Sequence, residues 1–247
     1  MSKALFFNIP AQGHINPTLP VIGEMIRRGE QVMCINLEGT RAAYEATGAQ
    51  FIPYPHLVEM DTMMDQASGG NLTDNALALI KLAELIMPWV LDLLEREKPD
   101  YVIFDSLASW AKQATEKLGI RAVGSITTFA FKPDTLPSVP ITSMLSMIGS
   151  AALRMPAYWQ VASRMRRKFG VKGVGLMGAL NNASSFNIVF TSALLQPNSE
   201  KLQDAYRFVG PSIAVRPASG DFPFDAITRS PVVYISLGTI NNNNVDF

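Results

Sequence analysis

A doubly wound parallel α/β sheet is the fold class this sequence predicts. Three observations predict it. Compact apolar runs recur along residues 1–209, of the kind that form strands buried on both faces. Helical patterns stand between those runs, so successive strands are joined by crossovers and lie parallel. Pro10, Gly29 and Gly48 punctuate the junctions.

The elements follow in order. Residues 4–9 are an apolar run closed by Pro10 and read as a buried first strand. The segment PAQGHINP reads as a loop. A helix is expected over 17–28, with Asn16 as its N-cap, Pro17 at its first position and Gly29 closing it. A second strand at 31–36, a helix at 38–47 closed by Gly48 and a short strand at 50–53 come next. Residues 57–70 contain MDTMMDQASGG and read as a loop. Over 72–97, Leu77, Ile80, Leu82, Leu85, Ile86, Trp89, Val90, Leu93 and Leu94 recur at helical spacing, with Pro88 placed to kink the helix. The stretch KPDYVIFDSLASWAKQATEKLGIRAVGSI then gives a strand, a loop at Asp105, a helix and another strand. Residues 127–178 read as irregular apart from a helix near 156–169, and strands follow at 186–191 and 207–209. Residues 210–231 carry Gly210, Pro211, Pro217, Gly220, Pro223 and Pro231 without periodicity and read as a linker. A new buried strand is expected at 232–236, followed by LGT. The division is therefore a first domain over 1–209, a linker over 210–231 and the start of a second domain over 232–247.

Composition removes several function classes. Hydrophobic residues make up 48% of the chain and charged residues 17%, enough for a large core and too apolar for disorder. Lys plus Arg number 21 and Asp plus Glu 21, so global charge gives no support for a nucleic-acid partner. One cysteine, Cys34, excludes an internal disulfide and suits a reducing cytoplasm. No run reaches the ~18–20 apolar residues that cross a bilayer. The N-terminus MSKALFFNIPAQGHINP lacks the pattern of a cleaved signal peptide. His14 and His56, without a carboxylate cluster, make no recognisable metal-ligand set, so no metal is expected.

Two residues stand out by position. His14 falls where the first strand hands over to a helix, at the carboxyl edge where doubly wound sheets bind ligands. The positive N-terminal end of that helix is expected to favour a neutral ring, able to take a proton from a hydroxyl. A purely structural role, tying down the loop, is equally open. Asp105 ends the strand YVIFD at the same edge. A carboxylate there can accept a histidine ring N–H, fixing the tautomer and stabilising the imidazolium; it can equally cap the helix expected from Leu107. Gly13 alone is no dinucleotide fingerprint, and Ser106 lacks the G-x-S-x-G elbow of a hydrolase.

Taken together, FNIPAQGHINPTLPVIGEMIRRGEQV, VIFDSLASWAKQATEKLGI, FVGPSI and PVVYISLGTI, in that order, resemble the macrolide-type branch of the UDP-glycosyltransferase family. That resemblance implies a GT-B fold of two Rossmann-like domains, an acceptor-binding domain first and a donor-binding domain second. It implies sugar transfer with inversion from a UDP-sugar to a hydroxyl of a hydrophobic aglycone such as a macrolide or flavonoid. The UDP-sugar is a co-substrate, and neither cofactor nor metal is needed. His14 matches the family's general base and Asp105 its orienting carboxylate. Ser236, Gly238 and Thr239 match the segment beside the donor diphosphate, where small residues let backbone N–H groups approach phosphates. The histidine- and glycine-rich donor motif has no counterpart in the 247 residues. The chain alone is therefore expected to be inactive. The alternative is a non-catalytic acceptor-binding or regulatory subunit that works with a separate C-terminal donor-binding partner.

In this family the acceptor lies against the irregular middle of the first domain. Gly13, Met60, Met64, Phe129, Phe131 and Met144 are the candidate contacts, with Met63, Leu136, Met147, Met155, Tyr158 and Trp159 nearby in sequence. Methionine- and aromatic-rich surfaces adapt to varied apolar ligands, and the same residues can equally fill a core. The run RMRRK at 164–168 reads as a solvated helix face in preference to a membrane contact.

Overall fold

A computed structural model describes residues 1–55, 72–130, 141–172, 175–202 and 204–213, with positions 227, 231–233 and 235. Side chains of residues 72, 141–153 and 177 fall outside the description. Residues Met1–Ser212 form one compact unit and Ile213–Phe247 a second.

The first unit is a seven-stranded, wholly parallel sheet among the described residues. Its strands are β1 (Lys3–Phe7), β2 (Gln31–Asn36), β3 (Gln50–Pro53), β4 (Tyr101–Asp105), β5 (Arg121–Ile126), β6 (Asn187–Val189) and β7 (Tyr206–Phe208). The spatial order is β3-β2-β1-β4-β5-β6-β7. The chain winds outward one way from β1 to β3, then returns to the other flank of β1 with β4 and winds the opposite way. The helices are α1 (Gln12–Ile15), α2 (Leu19–Arg27), α3 (Arg41–Glu45), α4 (Leu72–Glu97), α5 (Ser109–Leu118), α6 (Ile141–Phe169) and α7 (Leu176–Leu180).

Each central strand is apolar on both sides because each side meets a helix layer. On one face Leu5, Phe7, Met33, Ile35, Val102 and Phe104 pack against α4, α5, α6 and α7. On the other, Ala4, Phe6, Val32, Cys34 and Ile103 pack against Ile22 and Met25 of α2 and Tyr44 of α3. The alternation obeys the two-residue period of a strand; the second helix layer is what hides it in the sequence. α4 spans the first of these layers and packs against α5, α6 and α7. Tyr54 and Trp110 meet edge-on in this core, the indole N–H donating to the Tyr54 hydroxyl at 3.1 Å.

Several boundaries differ from the sequence reading for local physical reasons. β1 stops at Phe7 because the side chain of Asn8 takes the N–H of Ile9 at 2.9 Å. PAQGHINP is not all loop: Gln12–Ile15 closes one helical turn, and the Asn16 N–H bonds back to the Gln12 carbonyl at 3.0 Å. Asn16 therefore ends α1, while Thr18 is the N-cap of α2 and Pro20 occupies its first turn. Residues 38–47 split into a 3-10 turn at Glu38–Thr40 and α3. The helix expected near 156–169 begins at Ile141, with Pro156 inside it. Its Ser-, Gly- and Met-rich first half has no clean polar stripe from which to read a helical period. The strand expected at 232–236 lies partly outside the described residues. Of its described residues, Val232, Val233 and Ile235 are exposed.

One glycine is fixed by close approach. A Cβ on Gly124 of β5 would lie 2.1 Å from Oδ1 of Asn187. Asn187 is fully buried, and its amide accepts from Ser184 N–H while donating to the carbonyls of Ser184 and Ala205. It cannot move aside without breaking that set. Gly124→Ala is expected to destabilise the chain by about 1–3 kcal/mol, the usual range for overpacking a core. A denaturant midpoint unchanged by the substitution would contradict this.

Candidate active site at the β1–β4 switch point

β1 and β4 are neighbours, with Phe7 opposite Phe104, yet the chain departs from them toward opposite flanks. A crevice opens outside the carboxyl ends of such a pair, and it is where open α/β sheets place ligands. His14 on α1 comes over this crevice from the β1 side. Asp105 stands at the last residue of β4.

The two meet. His14 Nδ1 lies 2.6 Å from Asp105 Oδ2, with the carboxylate fully buried and the imidazole 14% exposed. Asp105 serves a second partner as well: its Oδ1 accepts the Leu107 N–H at 2.8 Å. α5 begins only at Ser109, with Ala108 as its N-cap. So Asp105 shapes the turn ahead of the helix with one oxygen and holds the imidazole with the other. The carboxylate makes Nδ1 the protonated nitrogen, because two lone-pair acceptors would repel. Nε2 is thereby left with its lone pair, and among the described residues no hydrogen bond engages it. The Thr127 hydroxyl, just past β5, also lies 2.9 Å from Nδ1.

Burial of the ring lowers the His14 pKa, but the charge and hydrogen bond of Asp105 outweigh it and carry it above the ordinary 6.5. The sequence reading expects a helix N-terminus to bias the ring toward its neutral form; the contact with Asp105 biases it the other way. His14 sits in the last turn of a four-residue helix, and a carboxylate at contact distance dominates the balance.

The sheet also supplies a layer of support that sequence reasoning missed. Asn8 directly follows β1, Asn36 closes β2, and both are fully buried. The Asn8 amide donates to the His14 carbonyl at 3.1 Å and to the Thr18 hydroxyl at 3.3 Å. Asn36 donates to the Ile9 carbonyl at 3.2 Å and the Tyr44 hydroxyl at 3.0 Å. The available signal was an asparagine closing each of two apolar strand runs, FFN and CIN.

Other sequence candidates are placed less fully. Gly13 is exposed beside His14, and a Cβ there would meet nothing within 4 Å, so packing within the described residues does not require a glycine. Phe129 lies beyond β5 and is 42% exposed. Tyr158 is a core residue, fully buried with its hydroxyl on the Gly175 carbonyl. Met60, Met64 and Phe131, the side chain of Met144, and Ser236, Gly238 and Thr239 lie outside the described residues, as does His56. In the RMRRK run Arg164 pairs with Glu84 on α4 at 2.7 Å, and Met165 is buried. Two cavities, of about 370 and 320 Å³, are lined by neither His14 nor Asp105; one is lined by α2 residues such as Pro20 and Met25, the other by Lys112, Arg121 and Ser184. No described helix is long and apolar enough to cross a membrane.

Fold and site together define a doubly wound α/β domain with a histidine–carboxylate pair at its switch point. Comparison with known proteins narrows this. The chain is 29% identical over 248 residues to the uncharacterized UDP-glucosyltransferase YdhE of Bacillus subtilis, spanning 100% of this chain and 61% of that protein. It is 30% identical over 245 residues to the NDP-glycosyltransferase YjiC of Bacillus licheniformis, spanning 96% and 58%. To the oleandomycin glycosyltransferase of Streptomyces antibioticus it is 25% identical over 240 residues, spanning 94% and 53%. No protein-family model matches. Among solved structures, the glycotransferase of kitacinnamycin superposes with a TM-score of 0.72 at 20% identity, covering 90% of this chain and 54% of that one. The calicheamicin glycosyltransferase CalG4 superposes at 0.66 with 20% identity, covering 86% and 52%. The chain thus has the fold of the N-terminal part of GT-B glycosyltransferases, and its sequence relatives are UDP-glycosyltransferases, macrolide glycosyltransferases among them. It spans little more than half the length of the relatives it matches.

Titration of the His14 ring by NMR is expected to give a pKa above 6.5 in the native chain and a lower one in Asp105→Asn. Because the folded-state value is raised, the pair's contribution to stability is complete below pH 6.5 and fades as pH rises through the folded value. A native pKa at or below 6.5 would contradict the assigned balance.

Proposed function

We propose that the chain is the acceptor-binding, acceptor-activating part of an inverting glycosyltransferase that uses a UDP-sugar and a hydrophobic hydroxylated acceptor of the macrolide or flavonoid kind. The observation that carries this reading is the 2.6 Å contact between His14 Nδ1 and Asp105 at the switch point, with Nε2 left for an acceptor hydroxyl. His14 takes the hydroxyl proton on Nε2 as the oxygen attacks the anomeric carbon. The new C–O bond forms on the face opposite the departing nucleoside diphosphate, so the configuration inverts. Asp105 holds the ring in the productive tautomer and stabilises the imidazolium as it forms. The rise in the His14 pKa makes the ring a stronger base, at the cost of a smaller neutral fraction in mildly acidic solution.

Acceptor binding in this reading belongs to the first unit, near Gly13 and Phe129, with Met60, Met64, Phe131 and Met144 as further contacts. Ser236, Gly238 and Thr239 serve the donor diphosphate. Transfer belongs to these residues together with a donor-binding half, in the same polypeptide or as a separate partner.

In a protein carrying both halves, His14→Ala is expected to lower kcat/KM by roughly 10²–10⁴-fold, the usual contribution of a general base, with acceptor affinity largely kept. Asp105→Asn should cost less. The native rate should rise with pH through a value above 6.5, since only the neutral ring accepts the proton. Unchanged turnover in His14→Ala would refute the assignment.

A further inference from the structure

α1 is one helical turn of four residues, with no side-chain bond at its N-cap. A helix that short has no stability of its own, yet it carries the ring on which the proposed chemistry turns. Something outside it must set its position.

Asn8 is placed to do so. It is fully buried, directly after β1, the strand next to β4, one residue beyond the last registered pair, Phe7 and Phe104. Every polar function of its amide is used within the first loop. Oδ1 accepts the Ile9 N–H at 2.9 Å, turning the chain out of β1. Nδ2 donates to the carbonyl of His14 itself at 3.1 Å and to Thr18 Oγ1 at 3.3 Å. The Thr18 hydroxyl passes its own hydrogen to the Ile15 carbonyl at 2.7 Å. One amide therefore grips the residue that bears the ring and, through Thr18, the next carbonyl of the turn. Asn36 repeats the arrangement one strand over. Its Oδ1 accepts the Leu37 N–H at 2.7 Å, and its Nδ2 holds the Ile9 carbonyl at 3.2 Å, immediately behind Asn8. Tyr44 backs this layer from α3, its hydroxyl bonded to Asn36.

His14 is thus held at two points: the ring by Asp105 from β4, and the backbone by Asn8 from β1. We infer that Asn8, acting through Thr18, is a positioning residue for His14, fixing the backbone from which the imidazole reaches both Asp105 and the acceptor. The inference rests on the proposed role of His14 as the base. The bracing itself is independent of that role.

Three variants separate bracing from general stability. Asn8→Leu keeps much of the volume and removes both donors and the acceptor of the Ile9 N–H; Thr18→Val removes only the hydroxyl, and Thr18→Ser restores it. In a protein carrying both halves, Asn8→Leu and Thr18→Val are expected to lower kcat about 10- to 100-fold, the scale of a small misplacement of reacting groups, while KM for acceptor and donor stays within about twofold. In the 247-residue chain the downfield Nδ1–H proton resonance of His14 should weaken or move in both variants and return in Thr18→Ser. The remaining amide spectrum should keep its dispersion. A merely structural asparagine would lower the melting temperature and leave kcat of the folded fraction and the ring resonance unchanged; that result would overturn the inference. Should Asn8→Leu fail to fold, Thr18→Val against Thr18→Ser decides the question alone. His14→Ala, run in parallel, keeps the two readings apart. If it leaves turnover intact, the base assignment fails, whereas an unmoved ring resonance in Thr18→Val sinks the bracing.

Discussion

Asp105 carries its carboxylate at the end of β4 with no exposure to solvent, and a buried charge is tolerable only when its oxygens are met. Both are met, and each partner organises one side of the crevice. Leu107 N–H on Oδ1 turns the chain toward α5, and His14 Nδ1 on Oδ2 draws the β1–α2 connection over the edge of the sheet. Leu107 is a local partner, two residues along the chain, whereas His14 lies 91 residues from Asp105 in sequence. The parallel pairing of β1 with β4 brings His14 and Asp105 together. The reversal of winding direction at that pair is thus more than a topological label: it leaves the space in which a carboxylate can be buried and still have a ring beside it that a ligand can reach.

The first unit divides its work between two faces. One is a thick apolar layer in which α4 touches three other helices; it supplies most of the burial. The other is thinner, and toward the carboxyl edge it changes from Phe6 and Cys34 to Asn8, Asn36, Thr18 and Asp105, all fully or almost fully buried. Such a polar layer adds little net stability for each hydrogen bond, but leaving any member unpaired is costly. Its value lies in specifying a single arrangement of the loop above it.

The seven strands were legible in the sequence because buried parallel strands leave compact apolar runs, and α4 was legible to the residue because its apolar period is clean over 26 positions. His14 and Asp105 could be singled out from their places at strand ends. What the sequence hid has physical causes. A one-turn helix such as α1 has no period, so PAQGHINP looks like loop. α6 begins in a run without a polar face, so its first half looks irregular. The sign of the His14 pKa shift depends on a contact across 91 residues, which no local reading of charge can anticipate.

That long-range contact also bears on how the chain reaches its native state. β1 and α1 are made well before their partners on β4, which come some hundred residues later, beyond β2, β3 and the whole of α4. Pairings of such sequence separation carry a large loop-closure cost and form late relative to local structure. Until then the His14 ring lacks the carboxylate that raises its pKa. The ionisation of one histidine can therefore serve as a clock for the step in which the two oppositely wound halves of the sheet come together.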